Sequence, residues 1–122
     1  MDVSSAIEAL SAMAQPTRLA VFRQLAAAYP DAVPAGDLAR TCDVPHNTMS
    51  SHLAILTRAG LTTACRDGRV IRYCASLDRL RDLVAFLARD CCDGRPELCL
   101  PLAADLSRSC AKKPFGLEVE DG

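Results

Sequence analysis

The stretch from Asp37 to Tyr73, DLARTCDVPHNTMSSHLAILTRAGLTTACRDGRVIRY, constrains what this chain can fold into more than any other. It opens with Leu38, Ala39 and Cys42 at helical spacing and runs into Asp43-Val44-Pro45. Proline fixes φ and lacks an N–H, so it suits the first turn of a helix and not its interior. From His46 to Ala59 the spacing puts Met49, Leu53 and Leu56 on one helical stripe with Ile55 beside it, and Gly60 is a natural stop. Asn47, Thr48, Ser50, Ser51 and His52 fall near the beginning of that segment and largely off the stripe. A helix that is apolar inside and shows short hydrogen-bonding side chains in its early turns has the chemistry a DNA major groove accepts. The alternating run that follows turns at Asp67-Gly68, a two-residue hairpin signal. Short helix, tight turn, longer helix and hairpin predict a mainly α chain with a small β-hairpin, a winged helix-turn-helix.

The flanks supply more helix. Asp2 to Met13 reads as a first helix, with Val3, Ile7, Leu10 and Ala14 at helical spacing. Pro16 opens a second, whose stripe is Leu19, Phe22, Leu25 and Ala26, with Arg18 and Arg23 on other faces and Tyr29-Pro30-Asp31 at its end. The next helix begins near Pro34 or Ala35, without a good N-cap residue. Ser76 caps a last helix from Leu77 to about Asp90, with Leu80, Leu83, Val84 and Leu87 as its stripe and Phe86 widening it. Apolar faces on the first and last helices either complete one monomer core or await a partner, and the pattern alone leaves both open. Past Gly94 the regularity fades. Residues 1–92 are expected to hold the DNA-binding and dimerisation domain, and 93–122 an extension ending in a mobile tail.

At 122 residues the chain is sized for one domain. Half its residues are apolar, yet no run approaches the roughly 18 that would span a bilayer. The start, Met1-Asp2-Val3-Ser4-Ser5, lacks a basic region followed by an apolar stretch, so a cytoplasmic protein with no membrane partner is expected. A formal net charge of −1 gives no overall pull toward phosphate. Arginines nonetheless gather between Leu61 and Asp90, at Arg66, Arg69, Arg72, Arg79, Arg81 and Arg89. No phosphate-cradling loop and no Cys–His or Ser–His pair with an orienting acid is present, so no enzyme is expected, and no organic cofactor.

The run DVPHNTMSSHLAILTRAGLTTACRDGRVIRY, with AMAQPTRLAVFRQL before it at residues 12–25, resembles the ArsR/SmtB family of bacterial metalloregulatory repressors. The likeness covers about Ile7 to Phe86. Its specific part is the order of the S-x-H-L-A-x-L step from Ser50 to Leu56, then A-G-L, then a D-G-R wing. It implies a repressor on double-stranded operator DNA and a two-fold homodimer built from the first and last helices. A two-fold dimer presents two reading helices to half-sites about one DNA turn apart. Asn47, Thr48, Ser50, Ser51 and His52 are then the candidate base and phosphate contacts, or in part helix caps. His52 either faces phosphate or sits half-buried bracing the turn. Arg66 and Arg69 are the wing candidates, Arg69 being the more exposed by its place beside the turn; each either reaches DNA or is solvated.

Seven cysteines in a reducing compartment read as thiols and not as a disulfide framework. Cys42, Cys65 and Cys74 fall inside predicted elements and are expected to act as small core hydrophobes. Cys91, Cys92 and Cys99 differ, because DCCDGRPELC sets three thiols close together where the last helix ends, with Gly94 and Pro96 letting the chain turn. Soft thiolates select thiophilic ions. Three of them suit the pyramidal coordination of As(III) or Sb(III), the expected effector, whereas structural zinc takes four ligands. The arsenic-binding C-x-C-x-x-C set of the best-known family members would fall at Pro34, Gly36 and Ala39, which cannot ligate. The trio resembles instead the relocated site of a subset of the family. A thiol-based redox switch or a zinc- or cadmium-responsive repressor is the alternative.

Overall fold

The computed structural model describes residues 1–91, with Asp90 and Cys91 by backbone alone. In chain order it gives α1 (Val3–Met13), α2 (Pro16–Ala28), β1 (Val33–Pro34), α3 (Ala35–Cys42), α4 (His46–Arg58), β2 (Thr62–Asp67), β3 (Val70–Ala75) and α5 (Leu77–Cys91). Met1–Leu83 forms one compact unit, and α5 begins within it.

The helix starts follow from side-chain chemistry. Asp2 caps α1 by accepting the Ser5 N–H at 2.8 Å, and that bond holds its carboxyl below the usual range. Gln15 accepts the Arg18 N–H at 2.8 Å, with Pro16 at the first helical position of α2. Ser76 accepts the Arg79 N–H at the start of α5. Neither α3 nor α4 has a side-chain cap, because Pro34 and Pro45 occupy those positions. Asp43 turns the chain between them in the left-handed region (φ 56°).

The core is built around α4. Met49, Leu53 and Leu56 are buried as the spacing predicts, against Val21, Phe22 and Leu25 from α2, Leu38 from α3, and Leu61. Two stripes are corrected. In α1 the buried positions are Ala6, Ala9 and Ala12, while Val3, Ile7 and Leu10 are exposed and Ala14 lies past the helix as its C-cap. Small residues inside let α1 approach its neighbours closely and leave its large side chains outward. In α2, Val21 takes the inward place expected of Leu19, which is exposed.

The sheet has three strands in the order β1-β3-β2, all antiparallel. The two-residue β1, opposite Tyr73 and Arg72, is absent from the sequence reading. The hairpin turn is also displaced by one residue. Asp67 pairs with Val70, so the central residues are Gly68 and Arg69, with Gly68 at φ 67°. Glycine at the first central position is what a type II′ hairpin requires. The three cysteines expected in the core are not buried. Cys65 is exposed and Cys74 half-buried, because a short wing projects from the body and water reaches both of its faces, and Cys42 is half-buried at the end of α3.

Gly60 joins α4 to the wing at φ 82°, and a Cβ there would stand 2.7 Å from Arg79 Nε, which donates to the Ala59 carbonyl. Gly60→Ala is expected to cost about 1–3 kcal/mol through left-handed strain and loss of that bond. A thermal melt with parental stability would show that the junction is softer than this geometry.

Candidate nucleic-acid interface

Asn47, Thr48, Ser50 and Ser51 all lie on the exposed face of α4, opposite the buried Met49–Leu53–Leu56 stripe. Part of their hydrogen-bonding capacity is spent locally. Asn47 Oδ1 accepts the Thr48 N–H at 2.9 Å, and Ser51 Oγ donates to the Asn47 carbonyl at 3.3 Å. The remaining donors and acceptors face water in the first two turns, where a reading helix meets base edges.

His52 is different. It is half-buried, with Nδ1 3.3 Å from Arg18 Nη1 of α2. Burial first, and the nearby guanidinium second, hold its pKa below the ordinary histidine value. The ring is thus half-buried as one of its two expected places requires, but its contact is with α2 and not with the turn before α4.

The wing arginines occupy opposite faces of the hairpin. Arg66 pairs with Ile71, and Arg72 pairs with Cys65 across the other face. Arg66 and Arg69 are exposed, whereas Arg72 Nε lies 3.6 Å from the Asp67 carboxylate. An exposed pair of that kind contributes little stability.

A cleft of about 370 Å³ opens between α3, α4 and the wing, with Arg40, His46, Ser50, Arg69 and Tyr73 on its walls. Arg40 Nη1 and His46 Nε2 both come within 4 Å of the place a Cβ on Gly36 would take. Asp37 pairs with Arg40 on the same wall. The candidate wing residue Arg69 and the candidate helix residue Ser50 therefore share one concavity with Arg40 and His46, which are not among the sequence candidates. The available signals were the imidazole directly after Pro45 and an exposed arginine one turn after Asp37.

Among the described residues no group of three or more His, Cys, Asp or Glu is placed to hold a metal ion. Cys92 and Cys99 lie outside the described residues, and Cys91 is described only as the last residue of α5. Among those same residues no helix is long and apolar enough to cross a membrane.

Comparison with known proteins agrees with this geometry. A family model described as a helix-turn-helix domain matches residues 13–63. No curated protein matches the chain. A solved structure described as a possible transcriptional regulator for arsenical resistance is 28% identical (TM-score 0.60), covering 80% of this chain and 95% of that one. An ArsR-like transcriptional regulator from Rhodococcus sp. RHA1 is 22% identical (TM-score 0.62), covering 95% of this chain and 96% of its own. A homodimeric winged helix-turn-helix DNA-binding domain from Mycobacterium bovis is 23% identical (TM-score 0.59), covering 75% and 81%. Residues 13–63 thus match a helix-turn-helix domain, and with the hairpin that follows they give the chain the winged helix-turn-helix fold of these solved structures.

Proposed function

We propose that the chain is a homodimeric, operator-binding repressor of the ArsR type, released from DNA when As(III) or Sb(III) engages Cys91, Cys92 and Cys99. The observation that carries the DNA reading is α4, fully buried on one side at Met49, Leu53 and Leu56 and polar and exposed on the other, beside an arginine-bearing wing. Support for a dimer through the first and last helices comes from the exposed face of α1 and from the homodimeric relative.

The effector reading rests on donor chemistry. Three thiols within nine residues form a soft set. α5 leads into them at Cys91, so an ion that drew the thiols together would pull on the end of that helix. A coupling of about 1–3 kcal/mol is typical of such linkage, provided the ion binds the DNA-free form better. The relative described in terms of arsenical resistance adds to this reading.

Fluorescence anisotropy on the DNA upstream of the gene tests it, with and without arsenite. The parent is expected to release DNA in arsenite, while Cys91→Ser, Cys92→Ser and Cys99→Ser hold on. Release by all three variants at the parent's arsenite concentration would remove the trio. Mass spectrometry of peroxide-treated protein is expected to show no disulfide within it, which separates this reading from a redox switch.

A further inference from the structure

Arg18 makes contacts that neither groove reading nor effector binding uses. Its own N–H is held by Gln15 at the start of α2. Its Nε donates to the Ala12 carbonyl at 2.6 Å, and its Nη1 lies 3.3 Å from His52 Nδ1. Ala12 belongs to the last turn of α1, where carbonyls have no partner within the helix. One guanidinium therefore closes the end of α1 and grips the middle of α4.

The second grip has a chemical condition. Guanidinium only donates, so the contact needs a lone pair on Nδ1, which a neutral imidazole has and an imidazolium lacks. His52 also sits between exposed Ser51 and buried Leu53, so its place sets the roll of the polar face of α4.

We infer that Arg18 is a positioning residue that ties α1 to the reading helix through neutral His52, and that protonating His52 releases the tie and weakens DNA binding in mild acid. This inference rests on the DNA-binding reading given above. An imidazolium would face a guanidinium 3.3 Å away with no acceptor between them. Arg18 of α2 is the charged group acting on the ring. The buried residues of the other elements packed on α4, namely Ala6, Ala9 and Ala12 of α1, Leu38 and Ala39 of α3, and Thr62 of β2, carry no charge. Burial first, and Arg18 second, favour the neutral ring. Because its folded value lies below the unfolded one, the stability it contributes is complete above the unfolded value and is lost as pH falls through the folded value.

The test follows DNA affinity of the full chain by anisotropy on its upstream duplex at constant salt, from about pH 7.5 to about 5.5. The parent is expected to lose about fivefold to tenfold in affinity over that span. His52→Asn, whose amide oxygen accepts near the Nδ1 position and does not titrate, is expected to show no acid loss. In Arg18→Gln the His52 ring, followed by NMR, is expected to titrate at higher pH than in the parent. An acid loss in His52→Asn equal to the parent's, or a ring titration unmoved by Arg18→Gln, overturns the inference. If Arg18→Gln does not fold, His52→Asn decides alone. If the parent binds no duplex at any pH, the DNA reading has failed, and the ring titration still decides whether Arg18 and His52 are coupled.

Discussion

Ile7→Glu is expected to yield a folded monomer that has lost specific DNA binding. The argument starts from an inversion in α1. Its buried positions are the alanines Ala6, Ala9 and Ala12, while Val3, Ile7 and Leu10 are 62%, 58% and 42% exposed. A helix that exists to complete one core puts its large side chains inward. This one spends small residues on close approach and holds its apolar volume outside, as an interface helix does. A glutamate at an exposed position of an isolated subunit should change stability by no more than about 0.5 kcal/mol. In a two-fold interface the same substitution is met twice, and each copy removes about 1.5–3 kcal/mol of apolar burial before its charge is counted. Light scattering after gel filtration should give the monomer mass with unchanged helix content by circular dichroism. Affinity for the operator should fall at least about 100-fold, since one reading helix then binds without its tethered partner. A dimer of parental stability would assign this face to some other contact.

The same inversion shows where the sequence could and could not be read. Periodicity weighs large apolar residues, so it located Met49, Leu53 and Leu56 of α4, where bulk and burial coincide. In α1 they do not coincide, and the spacing of Val3, Ile7 and Leu10 marked the outer face. α2 carries apolar residues around most of its circumference, from Leu19 through Phe22 to Ala28, so periodicity leaves its phase ambiguous between Leu19 and Val21. Strand β1 has two residues and exists only because β3 offers it an antiparallel edge. No local pattern announces that. The wing's turn slipped by one residue because Asp67-Gly68 and Gly68-Arg69 are both plausible turn pairs on composition, and the cross-strand register decides between them. Of the candidate site, Asn47, Thr48, Ser50 and Ser51 were legible because a helix's outer face follows from its inner one. The bond between Arg18 and His52 joins residues 34 apart in the chain, and no periodicity links them.

Leu53→Ala is expected to be the most destabilising change to α4 among those named here. Leu53 is fully buried in the middle of the helix, which packs on α1, α2, α3 and β2. Truncation removes the transfer energy of three carbons and leaves a cavity that four elements cannot all close upon. Losses of about 2–5 kcal/mol are usual for such a site. For a domain of this size each kcal/mol lowers the melting temperature by about 4–8 °C. The loss should fall on DNA binding as well, because the buried stripe that Leu53 centres is what holds Asn47, Thr48, Ser50 and Ser51 outward. Ser51→Ala is the matching control two positions before it. Its side chain is exposed and bonds back only to the Asn47 carbonyl, so its melting temperature should stay near the parent's. If Ser51 also meets the duplex, affinity falls without any change in stability. Should Leu53→Ala melt with the parent, α4 would not be anchored through this stripe. The outward face would then lose its fixed orientation, and with it the reason to read those four side chains as one groove-facing set.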